Sequence, residues 1–98
     1  MSALLDRVLS TIRAKRAEIE ARYGIRLLGV VGSVARGEEK PTSDIDIMFD
    51  QVGSTTLFKI IGAEHELEDF LGRKIDLVQR EALRPDQRAF IERDLVTA

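Results

Sequence analysis

Apolar residues in the first quarter of the chain recur three and four positions apart, with arginine and glutamate between them. This spacing places the apolar side chains on one face of a helix and the charged ones on the other. The pattern therefore predicts an amphipathic helix over residues 2–22 that stops at Gly24. Its apolar face consists of Leu4, Leu5, Val8, Leu9, Ile12 and Ile19.

Three short segments have the pattern of strands. Residues 27–31 are apolar apart from one glycine, which is typical of a buried strand, and the pair Gly32-Ser33 then indicates a tight turn. Residues 44–49 begin with strict alternation of aspartate and isoleucine, which sends successive side chains to opposite faces of a strand. Residues 75–78 are short, apolar and bounded by charge, and they predict a third strand beside the second.

Two further helices complete the pattern. The first is expected to take Ser54 or Thr55 as its N-cap and to run to Leu71, with Gly72 as its stop. The second begins with Pro85 at its first position and closes the core. The predicted packing residues are Leu57, Ile60, Ile61, Leu67, Phe70 and Leu71 on the first of these helices and Phe90, Ile91 and Leu95 on the second.

The elements follow the order helix, strand, helical turn, strand, helix, strand, helix. This order predicts an α/β (α+β) fold in which a small mixed sheet, of three strands or slightly more, is covered by helices. The 98 residues contain no linker-like run, internal repeat or low-complexity segment. We therefore expect one domain over residues 1–98.

Asp44 and Asp46 form the most informative pair of the sequence. Residues two apart in a strand have Cα atoms separated by roughly 6.6 Å, so both carboxylates can converge on one cation. Two like charges on a strand otherwise built of isoleucine, methionine and phenylalanine are costly unless a cation or solvent compensates them. Mg²⁺ suits the pair because it takes oxygen ligands, typically one or two carboxylates together with substrate phosphates.

The turn before this strand offers a place for such phosphates. Gly32 and Ser33 end one strand, and the helix-compatible residues 34–36 follow. Backbone N–H groups at a helix start bind anions favourably. The side chain of Arg36 would add a charge-assisted contact.

Composition narrows the class of protein. A net charge of −2 gives no general attraction to nucleic acid, so strong nucleic-acid binding is not expected. The absence of cysteine excludes disulfides and thiolate metal sites. No apolar run approaches the ~20 residues of a membrane span, and the N-terminus lacks the apolar core of a signal peptide. We expect a soluble, cytoplasmic protein without a membrane partner.

Several conspicuous residues have simple structural explanations. His65 lies among acidic residues on a polar helix face, and we interpret it as a surface residue and not as a metal ligand. The basic cluster within residues 13–16 is interpreted as the solvated face of the first helix. Ser43 either orients Asp44 or caps a turn, and both alternatives stay open. Taken from its segment alone, Asp76 is a strand-edge charge paired with a neighbouring arginine or lysine.

The fragments together resemble the nucleotidyltransferase superfamily that includes DNA polymerase β, and within it the minimal nucleotidyltransferase (MNT) domains. The family pattern is a Gly-Ser pair, a short spacer often reading Ala-Arg-Gly, then Ser-Asp-x-Asp, and later a third aspartate on another strand. Each fragment alone is weak, whereas their order, spacing and context together argue against coincidence. In this chain the pattern stands as Gly32-Ser33, Ala35-Arg36-Gly37, Ser43-Asp44-Ile45-Asp46 and Asp76.

The resemblance implies transfer of a nucleoside monophosphate from an NTP, with ATP as the expected donor, to a hydroxyl group. It implies two Mg²⁺ ions, one held by Asp44 and Asp46 on the triphosphate and a second shared with Asp76 on the acceptor side. Asp76 is implied to be a metal ligand, the general base, or both. The residues implied to hold the phosphates are Gly32, Ser33 and Arg36.

The resemblance also implies a partner. Small MNT proteins resemble antitoxins that assemble with a HEPN-domain ribonuclease toxin and attach AMP to one of its tyrosines. The alternative is a catalytically silent binding module that neutralises the toxin by covering it. The three aspartates and the Gly-Ser pair favour the enzyme, because an inhibitor has no physical need of a costly charge cluster. Residues 94–98 depart from the Val/Tyr-rich tail of the family and give no support to a partner contact at this end.

Overall fold

The computed structural model describes residues 2–98. It confirms the predicted α/β class, with a mixed sheet covered by helices. The order of elements along the chain is also the predicted one, up to a short additional strand at the end. The elements are α1 Ala3–Tyr23, β1 Ile25–Val31, α2 Gly32–Arg36, β2 Ile45–Gln51, α3 Leu57–Leu71, β3 Ile75–Gln79, a 3-10 turn Arg80–Ala82, α4 Pro85–Glu92 and β4 Val96–Thr97.

The first helix follows its prediction closely. The hydroxyl of Ser2 accepts a hydrogen bond from the N–H of Leu5 at 3.0 Å and caps the start of α1. Gly24 ends the helix in the left-handed conformation, with φ 71°, and its N–H donates to the carbonyl of Glu20. The predicted apolar face is buried except for the partly covered Leu4. Within residues 2–98, no helix is both long enough and apolar enough to cross a membrane.

The sheet has the strand order β3-β2-β1-β4. β1 pairs with β2 and with β4 in antiparallel fashion, whereas β2 and β3 run parallel because α3 carries the chain back between them. Ile45, Ile47 and Phe49 are at most 1% exposed and face α1 and α3, as their alternation predicts. Asp46 therefore points to the other face of the sheet.

The start and the buried face of α3 differ from the prediction. Thr56, and not Ser54 or Thr55, is the N-cap, and its hydroxyl accepts from the N–H of Lys59 at 3.2 Å. The buried face is centred on a small residue, Ala63, with Leu67 and Leu71 on the following turns. This rotation leaves three of the predicted packing residues exposed, and Ile60 only partly covered, because they flank that face. The exposed ones are Leu57, Ile61 and Phe70, with 71%, 38% and 55% of their surface accessible.

The C-terminal segment covers the sheet less completely than predicted. Pro85 does stand at the first position of α4, but no residue of α4 is buried and Phe90 is 66% exposed. The predicted helical stripe also ends early, since the chain turns after Glu92 and forms β4 on the edge of β1. Arg16 explains part of the basic cluster of α1: its guanidinium donates to the carbonyls of Leu27 and Ala98 at 3.0 and 2.9 Å.

Candidate active site

The parallel pairing of β2 and β3 brings the three aspartates of the sequence motif together. Asp46 lies opposite Asp76 in the register of the two strands, and Asp44 comes just before β2 begins. Residues in register on neighbouring strands are roughly 4.8 Å apart. Two carboxylates from adjacent strands and a third from the preceding loop thus share one end of the sheet, on the face turned away from α1 and α3.

Burial and neighbouring like charges both act on the carboxylates of this cluster. Burial raises the pKa of the Asp46 carboxyl, and the nearby carboxylates of Asp76 and Asp44 raise it further, while the guanidinium of Arg36 lowers it. Burial also raises the pKa of Asp76, followed in importance by the proximity of Asp44. Both groups are therefore destabilised in their ionised form, which is the condition that a bound cation relieves.

Asp76 lies on an edge strand, and the charge of Lys74 partly offsets the burial that raises its pKa, but within residues 2–98 neither Arg73 nor Lys74 forms an ion pair with it. Arg73 points to the loop before β2, where its guanidinium donates to the carbonyls of Lys40 at 2.9 Å and Ser43 at 2.7 Å. The ammonium of Lys74 lies 3.9 Å from Oδ2 of Asp44. Arg73 thus holds the loop that delivers Asp44, a role that its position in the sequence did not indicate.

Gly32 packs directly against the carboxylate of Asp46. A Cβ atom at this position would lie less than 3.0 Å from Oδ2 of Asp46, a separation that real Cβ atoms do not show. The φ angle of Gly32 is 74°, in the left-handed region that favours glycine. Both facts require glycine at the point where the turn meets the acidic cluster, and α2 starts at this residue, which brings Ser33 into the first turn of the helix.

Arg36, the last residue of α2, forms ion pairs with two carboxylates. Its guanidinium lies 2.8 Å from Oδ2 of Asp94 and 3.3 Å from Oε2 of Glu38. A pocket of about 200 Å³ separates α2 from the C-terminal segment. The residues around it are Val31, Gly32, Arg36, Asp46, Val78, Phe90, Ile91 and Asp94.

Hydrogen bonds in the loop before β2 decide between the two alternatives for Ser43. Its hydroxyl accepts from the N–H of Lys40 at 2.8 Å, and its own N–H donates to the carbonyl of Lys40 at 2.9 Å. Ser43 therefore caps a turn, and it influences Asp44 only through the loop geometry.

Two glutamates of α3 form hydrogen bonds to the outer edge of β3 next to the site, although the sequence pattern predicts a solvated face for them. Glu68 accepts from the N–H of Ile75 at 3.1 Å, and Glu64 accepts from the N–H of Leu77 at 2.9 Å. β3 lies at the edge of the sheet, so these carboxylates satisfy outward N–H groups on both sides of Asp76. Their four-residue spacing on one helix face is a signal that could have suggested a shared partner. His65, between them, is exposed as expected.

The donor chemistry of the cluster fits a divalent cation. Among residues 2–98, no group of three or more histidine, cysteine, aspartate or glutamate side chains is arranged so that it could hold a metal ion by itself. Asp44, Asp46 and Asp76 nevertheless supply the carboxylate oxygens that Mg²⁺ prefers, and burial, followed by the neighbouring carboxylates, raises the pKa of Asp46 and of Asp76. Mg²⁺ characteristically takes only one or two carboxylates from a protein and completes its coordination with water and phosphates. The residues present therefore fit this ion.

Comparison with known proteins agrees with the fold and with the motif. The family described as "Nucleotidyltransferase domain" matches residues 12–97, which is most of the chain. The chain belongs to this family of nucleotidyltransferases. The predicted nucleotidyltransferase fold is thus confirmed.

Two archaeal relatives align over nearly the whole chain. The protein adenylyltransferase MntA of Thermococcus cleftensis is 37% identical over 92 residues, which cover 94% of this chain and 93% of the relative. The Methanocaldococcus jannaschii protein MJ1217, provisionally named as a protein adenylyltransferase, is 34% identical over 93 residues, covering 94% and 95%.

Two solved structures share the fold. A provisionally named minimal nucleotidyltransferase superimposes with a TM-score of 0.71 and 34% identity, covering 90% of this chain and 93% of that one. A chain from a toxin–antitoxin structure with AMP-PNP superimposes with a TM-score of 0.58 and 20% identity, covering 72% and 59%. At this identity the second likeness concerns the fold alone.

Proposed function

We propose that this protein is a Mg²⁺-dependent adenylyltransferase that transfers AMP from ATP to a hydroxyl group of a partner protein. The observation that carries the proposal is the register of Asp46 opposite Asp76, with Asp44 beside them and the Gly32 turn packed on Asp46. The names of the two archaeal relatives support a protein as the acceptor. Carboxylates crowded beside a glycine turn at a helix start are costly to the fold and are typical of a functional site.

The transfer forms one bond and breaks one. The acceptor hydroxyl oxygen attacks the α-phosphorus of ATP, the bond from that phosphorus to the bridging oxygen breaks, and pyrophosphate leaves. Asp76, on the strand beside Asp46, accepts the hydroxyl proton. Bound Mg²⁺ supplies charge neutralisation at the triphosphate and acidifies the acceptor hydroxyl.

In this proposal, different residues serve the nucleotide and the acceptor hydroxyl. Asp44 and Asp46 would hold the ion of the triphosphate, and Asp76 would join them in holding a second ion at the acceptor. The backbone of Gly32 and Ser33, together with the guanidinium of Arg36, binds the β- and γ-phosphates. Burial and the carboxylates of Asp76 and Asp44 raise the pKa of Asp46, so a cation beside this group would stabilise its ionised form.

The acceptor we propose is a tyrosine of a HEPN-type ribonuclease toxin, which would make this protein an antitoxin that acts in the cytoplasm as part of a complex. The MNT resemblance suggests this partner. The fold shared with a chain of a toxin–antitoxin structure agrees with it at the level of fold. ATP is the proposed donor because the named relatives are adenylyltransferases.

Calorimetry of ATP binding tests the metal-bridged part of the proposal. ATP should bind measurably with Mg²⁺ and should lose most of its affinity with EDTA, because triphosphate and the Asp44/Asp46 pair repel each other without an ion. Equal affinity under both conditions would rule out a metal bridge.

A cellular assay separates the enzyme from the alternative of a silent binding module. The double variant Asp44→Asn with Asp46→Asn should fold, bind the partner and fail to neutralise it. Neutralisation as complete as that of the parent would mean that covering the partner is sufficient.

A further inference from the structure

Arg36 and Asp94 form an ion pair across the mouth of the pocket beside the aspartate cluster. The 2.8 Å contact joins the end of α2 to the turn between α4 and β4. Both side chains line the pocket that Gly32 and Asp46 also line. The charge of Arg36 is close enough to Asp46 to lower the pKa of that carboxyl. The arginine thus lies between the acidic cluster and a carboxylate of the C-terminal segment.

A triphosphate and the Asp94 carboxylate would compete for this guanidinium. Arginine binds carboxylate and phosphate through the same planar donors, and phosphate offers more charge and more acceptor oxygens. Asp94 also adds a negative charge to a pocket that Asp46 already lines. It therefore opposes an anionic ligand in two ways, by occupying Arg36 and by repelling the ligand.

We propose that Asp94 is an internal competitor of the triphosphate for Arg36, so that nucleotide binding releases the turn between α4 and β4. The inference rests on the nucleotide binding of the proposed function. It adds a gating residue at the same site and couples that site to the segment that carries the exposed Phe90.

The C-terminal segment is built to respond to this exchange. No residue of α4 is buried, and β4 pairs with β1 through only two residues, Val96 and Thr97. The turn itself is held by two backbone hydrogen bonds, from the N–H of Asp94 to Ile91 at 3.2 Å and from the N–H of Leu95 to Glu92 at 3.1 Å. Val96 and Ala98 beyond the turn pack against the core, and Ala98 is hydrogen-bonded to Leu28 and Arg16, so the turn at Asp94 opens at a lower free-energy cost than the strand that follows it.

Calorimetric titration of Mg·ATP into Asp94→Asn tests the competition. Affinity should rise about fivefold over the parent, the change expected from an ion pair of exposed groups. Asp86→Asn is the matched control, because Asp86 lies at the start of α4 and does not line the pocket, and its ion pair within residues 2–98 is with the exposed Arg84; its affinity should equal that of the parent. In an Arg36→Gln background, Asp94→Asn should raise affinity much less, since no guanidinium remains to be released.

Unchanged or weaker binding by Asp94→Asn, or the same gain in the Arg36→Gln background, would overturn the competition. If the parent binds Mg·ATP and Asp94→Asn behaves like it, only the competition fails. If neither binds, the proposed function fails as well. Hydrogen exchange of the parent provides a second measurement that needs no variant: Mg·ATP should speed exchange at residues 93–97, and slower or unchanged exchange there contradicts the release.

Discussion

Gly32 and Asp46 are in direct contact, such that a Cβ on the glycine would overlap Oδ2 of the aspartate. The turn that ends β1 and the carboxylate in β2 therefore occupy fixed relative positions. Because Asp46 also lies opposite Asp76, Gly32 places the turn that ends β1 directly beside the acidic cluster. This arrangement makes the glycine testable separately from the carboxylates.

Gly32→Ala should displace Asp46 and greatly reduce nucleotide transfer. The substitution also strains the backbone, since the φ of 74° costs an L-residue about 1 kcal/mol of folding free energy. Gly72→Ala controls for this strain: its φ is 69°, and nothing lies within 4 Å of the Cβ position. The control should lose similar stability in a thermal melt and keep its transfer rate. Equal rates for the two variants would show that Asp46 does not depend on Gly32.

Asp46→Asn should stabilise the protein in EDTA at neutral pH. The raised pKa means that the folded state holds this proton more tightly than the unfolded state, so stability falls as pH rises from the ordinary value of 3.8 through the raised folded value. The asparagine side chain cannot ionise, so the variant does not lose stability over this pH range. Thermal melts should therefore show a higher Tm than the parent at pH 7 and a converging Tm below pH 3.8.

The ligand should affect the Tm of the parent and of the same variant differently. Mg·ATP should raise the Tm of the parent, because it binds the folded state only, and should raise that of Asp46→Asn much less. A variant that is less stable than the parent at pH 7 in EDTA would contradict the electrostatic account of the cluster.

Asp76→Asn should bind Mg·ATP nearly as well as the parent and transfer AMP far more slowly. If Asp76 serves only the acceptor, its loss removes transition-state stabilisation without ground-state binding, at a typical cost of about 10²–10⁴-fold in rate. Single-turnover rates and calorimetry on one preparation measure both quantities. Asp69→Asn, on the exposed face of α3, is the matched control. An unaltered rate in Asp76→Asn would remove Asp76 from the site.

Glu64→Ala should lower both stability and transfer, because the N–H of Leu77 loses its acceptor beside Asp76. An unpaired donor in a partly buried position costs about 1 kcal/mol in the free energy of unfolding. Glu64→Gln keeps an acceptor oxygen and should recover most of both properties. Denaturant unfolding and turnover at saturating ATP measure the effects. If turnover falls equally in Glu64→Gln, the charge of Glu64 matters and its hydrogen bond does not.

Much of the fold could be predicted because the local patterns and the tertiary structure agree. The stripe of α1 and its stop at Gly24 combine helical spacing with a left-handed glycine cap, and the alternation of β2 separates its isoleucines from Asp46. Local chemistry specifies each of these features. The Gly-Ser turn belongs to the same group, since its glycine is required where it stands.

The remaining features depend on contacts between distant segments. Leu57 and Phe70 fit a helical stripe, yet the sheet selects a face centred on Ala63. The motif indicated Asp76, but its place opposite Asp46 follows from a parallel pairing that periodicity does not encode. The pairing of Arg36 with Asp94 joins residues 58 positions apart, and composition carries no signal of it.

Intact-mass analysis of the protein encoded beside this chain shows directly whether AMP is transferred to it. That protein is incubated with the parent, Mg²⁺ and each of the four NTPs in turn, and with the Asp44→Asn, Asp46→Asn double variant as control. The account predicts that ATP alone adds one or more AMP units to the neighbouring protein, and that the double variant adds none. A stable complex of the two proteins with no added mass from any nucleotide would contradict enzymatic transfer and would leave the binding module as the function.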